Sequence, residues 1–146
     1  METLSARLQE LIDALNRGRL DVPNGLLDRD ATYALNGRPY EALLGRDPND
    51  PLIRLIARGP AGYRFAAQAL IRALGNPVLA VKYWEGAPPV FGVACRLSGS
   101  LRGSSDVVDC PVLIRLTTTL SGAVTTADVT IDAAVIAKLD RARGTD

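Results

Sequence analysis

The chain contains no histidine, and that absence excludes more than any residue present. Neither a Ser-His-Asp triad nor a Cys-His pair can be assembled, so nucleophilic hydrolysis of those kinds is out of reach. Proton transfer is left to Asp, Glu, Tyr, Lys, Cys or a bound water. Cysteine is scarce, with only Cys95 and Cys110. Two cysteines without histidine do not make a structural zinc site, so neither a metal nor a cofactor is expected. Both are expected to be reduced thiols, as is usual for a cytosolic chain of this size. Long apolar runs are missing too, none approaching the roughly 20 residues of a membrane-spanning helix. The opening METLSARLQELIDAL interleaves charges with apolar residues and lacks the continuous apolar core of a signal peptide. A cytoplasmic location with no membrane partner is the expectation. An excess of one charge is also absent: the formal net charge is +1, and the arginines are scattered from Arg7 to Arg143. That is a solvated surface and no nucleic-acid footprint.

What is present reads as one domain, 1–146, long enough to bury a single core without staples. In TLSARLQELIDALN, residues 3–16, Leu4, Leu8, Leu11, Ile12 and Leu15 share one helical face, with Thr3 as N-cap and Gly18 as stop. LDVPNGLLD turns and has room for a short second helical turn, and ATYAL reads as a short strand ended by NGRP. Residues 39–58, punctuated by DPNDP, form a long connection with one short helix, LIRLIAR. GPAGYRFAAQALIRALG then puts Tyr63, Ala67, Leu70, Ile71 and Leu74 on one helical face, with Pro60 in the first turn. After Gly75 the period becomes alternating, and strands are expected over 77–84, 89–100, 107–120 and 123–133. Ser121-Gly122 signals a two-residue hairpin, and AVIAKLDRAR, 134–143, a last helix. Helices first and strands second predicts α+β.

The order helix, turn, short strand, longer helix and four strands resembles the nuclear transport factor 2-like superfamily, in its ketosteroid isomerase-like and SnoaL-like polyketide cyclase branch. The resemblance is carried by ALN-x-G-x-LD at 14–21, LL-x-x-DAT at 26–32, the Gly59 to Leu74 helix and LSGSLRG at 97–103. It implies a cone-shaped, curved antiparallel sheet of about four long strands plus one short strand, packed on N-terminal helices. The open end of such a cone holds a small apolar molecule. Homodimerisation is implied by the same analogy.

The resemblance also locates the chemistry that ketosteroid isomerases need. Their proton-shuttling Asp falls at Leu35 here, their oxyanion-binding Tyr at Leu11, and their protonated Asp near Ile114. All three positions are apolar, so this chain cannot remove a proton beside a carbonyl and hold the enolate in that way. Epoxide hydrolases of the superfamily need an inward carboxylate on the last strand, where Val129 stands.

Strand parity places Phe91, Val93, Cys95 and Leu97 inward, with Val112, Ile114 and Leu116, and with Ala123, Thr125, Ala127, Val129 and Ile131. The expected pocket is therefore Leu11, Leu15, Tyr33, Leu35, Tyr63, Tyr83, Phe91, Val93, Cys95, Ile114 and Val129. Tyr33, Tyr63 and Tyr83 are core aromatics with hydroxyls at the rim, or else hydrogen-bond donors to a ligand carbonyl. Cys95 has no histidine to activate it and reads as a buried thiol. Candidate catalytic carboxylates are Asp28 and Asp30, which also read as turn residues, and Asp128 and Asp132. The last two share a strand face with Arg115 and Arg96, as an exposed ion ladder or a dimer surface. Residues 37–58 are an insertion or a lid over the cone.

Three functions fit these residues. The chain binds a small apolar molecule of polyketide, terpenoid or steroid-like type, with catalysis undecided. Alternatively it is a cyclase, isomerase or epoxide hydrolase using an Asp acid/base. Alternatively it is a dimeric interaction module whose cone is filled by its own side chains.

Overall fold

The computed structural model describes residues 3–44 and 50–144. Helix α1 (Leu4–Asn16) starts where Thr3, in extended conformation, accepts the Ala6 amide on its side chain, and it buries Leu8, Leu11, Ile12 and Leu15. The turn through Asn24 and Gly25 carries no second helix. Strand β1 (Leu27–Leu35) begins earlier than ATYAL and is followed by the two-residue β2 (Arg38–Pro39) and a 3-10 turn, Tyr40–Leu44. Residues 45–49 of the expected insertion, with most of DPNDP, lie outside the described residues. Helix α2 (Pro51–Ala57) is capped by Asp50, whose side chain accepts the Leu52 amide, and α3 (Gly59–Ala73) follows with Pro60 in its first turn.

The remaining chain forms β3 (Leu74–Ala87), β4 (Val90–Leu101), β5 (Val107–Thr118), β6 (Val124–Thr130) and helix α4 (Ala133–Gly144). The six strands make one curved, unclosed sheet in the order β2-β1-β6-β5-β4-β3. β3 to β6 are antiparallel neighbours, as alternation predicts. β1 instead joins the sheet parallel to β6, with Leu35 beside Val129, so the sheet is mixed. The helices cover its concave face, and the core lies between them: Leu26, Leu74 and Val124 are its most enclosed large side chains.

Three details correct the sequence reading. The β5–β6 hairpin is longer than Ser121-Gly122, because the strands end at Thr118 and restart at Val124. A bulge follows, since Thr118 pairs with Val124 but Thr117 with Thr126. The extra residue reverses parity ahead of it, so Val124, expected outward, is 1% exposed. A second bulge between Val81 and Tyr83 does the same on β3. Val81 faces inward, Tyr83 turns out to 57% exposure, and Trp84 takes the inward place against Phe91, ring centroids 5.8 Å apart. Cys95 and Cys110 are free, buried thiols.

Two asparagines close gaps in the backbone ladder. The Asn16 side chain donates to the Leu79 carbonyl (3.0 Å) and accepts its amide (2.7 Å). Asn36, at φ +51°, does the same for Ile131, both bonds at 2.9 Å. An amide side chain matches the donor and acceptor of one residue's main chain, so each pair satisfies groups that no strand reaches.

Candidate functional site

Pairing brings inward residues of successive strands into rows. Leu35 pairs with Val129, Val129 with Ile114, Ile114 with Val93, and Val93 with Trp84. The first four of these form part of the wall of a cavity of about 370 Å³, roofed by Leu11 and Leu15 of α1, by α3, and by Ile136 and Leu139 of α4. Its wall is aliphatic or alanine throughout except at Tyr33, Tyr40, Tyr63 and Asp140. Leu11, Leu35 and Ile114, where isomerases of this fold class need a phenol and two carboxyls, thus meet around one space.

The pocket expectation divides in two. Leu11, Leu15, Tyr33, Leu35, Tyr63, Val93, Ile114 and Val129 line the cavity. Tyr83 is off it, turned outward by the β3 bulge. Phe91 and Cys95 are buried in the core and do not line the cavity. None of the four aspartates proposed from sequence touches the cavity. Asp28 accepts the Asp30 amide in the irregular start of β1, where register is lost between Leu27 and Thr32, and Asp30 is exposed. Asp132 is exposed, and its side chain accepts the Ala134 amide at the start of α4. Asp128 sits opposite Arg115 on the outer face, and Arg96 pairs with Asp109 at 2.6 Å instead of joining a ladder. The carboxylate that sequence reasoning missed is Asp140. The spacing 136, 139, 140 places it on the cavity face of α4, but a charged residue in a C-terminal helix reads as solvated.

The phenols are fixed by glycine packing. Gly59 has φ +63°, and a Cβ there would stand 2.3 Å from the Arg29 carbonyl oxygen. A Cβ on Gly62 would stand 2.5 Å from the Ala57 carbonyl carbon and 2.8 Å from the Tyr33 ring. The start of α3 can therefore press onto β1 only as glycine. This contact lets the Tyr33 hydroxyl donate to the Gly59 carbonyl. The Tyr63 hydroxyl is buried without a hydrogen-bond partner among the described residues. Burial pushes its pKa up to about 12, and burial followed by the nearby Tyr63 raises that of Tyr33. Both are neutral phenols at physiological pH.

A smaller polar cleft lies at the sheet edge, lined by Thr32, Tyr33, Pro39, Glu41, Arg58 and Asp128 among others. Buried Glu41 holds the Arg58 guanidinium at 2.9 Å there. No group of three or more metal-ligating side chains is assembled, and no helix is long and apolar enough to cross a membrane, among the described residues.

No protein-family model and no curated protein matches the chain. Among solved structures it is similar to a candidate SnoaL-like polyketide cyclase from Jannaschia sp. CCS1, with TM-score 0.70 and 14% identity, over 93% of this chain and 90% of that one. It is similar to IdmH, a candidate polyketide cyclase from Streptomyces antibioticus, with TM-score 0.67 and 15% identity, over 95% and 99%. A SnoaL-like polyketide cyclase from Agrobacterium tumefaciens strain C58 gives TM-score 0.67 and 13% identity, over 94% and 98%. At such identities the likeness shows the fold alone, a curved sheet packed on helices that this chain shares with those structures.

Proposed function

We propose that this nuclear transport factor 2-like fold binds a small apolar molecule of polyketide, terpenoid or steroid-like type in its cone. The observation that carries the reading is the cavity of about 370 Å³ with an aliphatic wall. That volume falls at the lower end of the ~300–1,000 Å³ typical of small-molecule sites, which are mostly apolar with few polar groups. The names of the structural neighbours agree with a polyketide-like ligand. Enolisation by the ketosteroid isomerase route has no residues to use, since Leu11, Leu35 and Ile114 carry neither acid nor base. Any catalysis would consist of folding a reactive chain, or would draw on Asp140 as acid/base in place of Asp28, Asp30, Asp128 or Asp132.

The test is thermal-shift and native mass spectrometry of the purified protein against steroids, terpenoid epoxides and polyketide-like aromatics. A ligand that binds only the native state raises the melting temperature. Failure of every compound to bind or stabilise overturns the proposal.

One observation favours a second reading, a homodimeric interaction module. The outer sheet face exposes Val78, Tyr83, Val90, Val107 and Leu113, with Tyr83 at 57% and Leu113 at 53% exposure. Native mass spectra of the same sample distinguish a dimer from a monomer, and Leu113→Lys is expected to dissociate a dimer built on this face.

A further inference from the structure

Two side-chain oxygens are buried without a hydrogen-bond partner among the described residues, those of Thr118 and Tyr63, and of the two only Tyr63 belongs to the cavity wall. Buried tyrosine hydroxyls ordinarily find a partner, because leaving one unbonded costs the water it gave up. The other deep phenol, Tyr33, is already bonded: its hydroxyl donates to the Gly59 carbonyl at the start of the same helix that carries Tyr63. Burial holds the Tyr63 hydroxyl neutral at physiological pH, with its pKa pushed up to about 12, so it keeps a proton to donate. One turn along α3, Ala66 and Ala67 line the same cavity, and helical side chains lean toward the N-terminus, away from such a pair. Methyl groups therefore stand where a larger side chain would confine the ring.

We infer that the Tyr63 hydroxyl is the hydrogen-bond donor to the bound molecule, and that it selects apolar ligands carrying a carbonyl oxygen in the part buried in the cone. The inference rests on the apolar-ligand reading above and specifies its substrate class as ketones and quinones over plain hydrocarbons. No hydrogen bond holds the Tyr63 side chain, so a small swing about its Cα–Cβ bond brings the oxygen to the cavity surface without breaking one. Tyr33 would have to give up Gly59 to do the same. The carbonyl oxygen accepts the phenolic proton and has none of its own to place. An alcohol on the same skeleton also accepts from Tyr63 but brings a second proton that needs a partner of its own.

The experiment is calorimetric titration of the native protein, Tyr63→Phe and Tyr33→Phe with three probes that share one skeleton: tetralin, α-tetralone and α-tetralol. Tyr63→Phe is expected to weaken α-tetralone ~10-fold, to weaken the alcohol less, and to leave tetralin within ~2-fold. The infrared carbonyl stretch of bound α-tetralone should lie at lower frequency in the native protein than in Tyr63→Phe, a shift that a change of packing alone does not give. Without ligand, Tyr63→Phe should melt no lower than the native protein, since it drops a hydroxyl that bonds nothing, whereas Tyr33→Phe should melt lower. Unchanged α-tetralone affinity and carbonyl frequency in Tyr63→Phe overturn the inference while the apolar-ligand reading stands. A ligand-free Tyr63→Phe destabilised as much as Tyr33→Phe overturns it too, for the hydroxyl is then bonded within the protein. If tetralin and its two relatives all fail to bind the native protein, the apolar-ligand reading falls and the inference with it.

Discussion

Ala67→Leu turns the question of an open or filled cone into the sign of one free energy. Ala67 lies on α3, is 6% exposed, and lines the cavity. Leucine adds three carbons at that wall. If the space is open, burying them stabilises by about 0.8 kcal/mol each, or ~2 kcal/mol together. Lost rotamer freedom and slightly weaker helix propensity take back about 1 kcal/mol. The net expectation is ~1 kcal/mol of stabilisation, seen as a rise in melting temperature of ~3 °C. Ligand affinity should fall by ~10-fold or more, because the isobutyl group occupies the same space. Ala31→Leu is the control: Ala31 is fully buried and off the cavity wall, so overpacking should cost ~1–3 kcal/mol there. The assay is urea denaturation of both variants with the native protein. Destabilisation of Ala67→Leu by as much as Ala31→Leu refutes the reasoning, for it means that the interior is packed solid.

Asn36→Ala removes both bonds to Ile131 and leaves alanine at φ +51°. About 2–3 kcal/mol should be lost by denaturant titration, with faster amide exchange at Ile131 and the start of α4, and Asn36→Gly should lose less. Glu41→Gln breaks the pair with Arg58, whose side chain is 38% exposed. Solvent screening limits the expected cost to ~1 kcal/mol, measured as a lower melting temperature with a weaker salt dependence. Burial pushes the Cys95 thiol from its ordinary 9.0 to about 11 and the Tyr63 phenol to about 12. The unfolded chain therefore gives up these protons first, so stability is full below pH 9 and falls as pH rises toward 11. Melting curves from pH 8 to 11 should show that fall. Cys95→Ala, though less stable throughout, should show a flatter limb between pH 9 and 10, where the phenols have barely begun to contribute.

Local pattern carried the helices and most of the inward-facing set. The α1 face follows from leucines at helical spacing, and β4 and β5 pair in unbroken register from Val90 with Thr117 to Ser100 with Val107. Parity therefore held along both strands, and Val93 and Ile114 fell on the wall as expected. Where one residue was inserted the same rule inverted. The bulge beyond Val81 exchanged Tyr83 for Trp84, and the one after Val124 brought that valine inside. A bulge is decided by how two strands meet, so no residue type at Lys82 or Thr125 announces it. The parallel partnership of β1 with β6 is equally non-local: it joins residues about 95 positions apart, and only the Asn36 clamp marks its end.

The missed carboxylate has a different cause, and it bears on what the cone does. Sequence reasoning sought an acid on the strands and in the segment before the first one, but none of Asp28, Asp30, Asp128 and Asp132 reaches the cavity wall. The structure gives every strand position on the wall an apolar residue or a phenol, and it places the carboxylate on α4, which covers the cone from outside the sheet. An acid on an interior strand would have to be buried with its charge, at a cost met only by dedicated hydrogen bonds. An acid on the covering helix stays exposed to solvent and avoids that cost. An aliphatic wall accepts shape alone, so changes at Leu11, Leu35 or Ile114 should alter which skeletons bind.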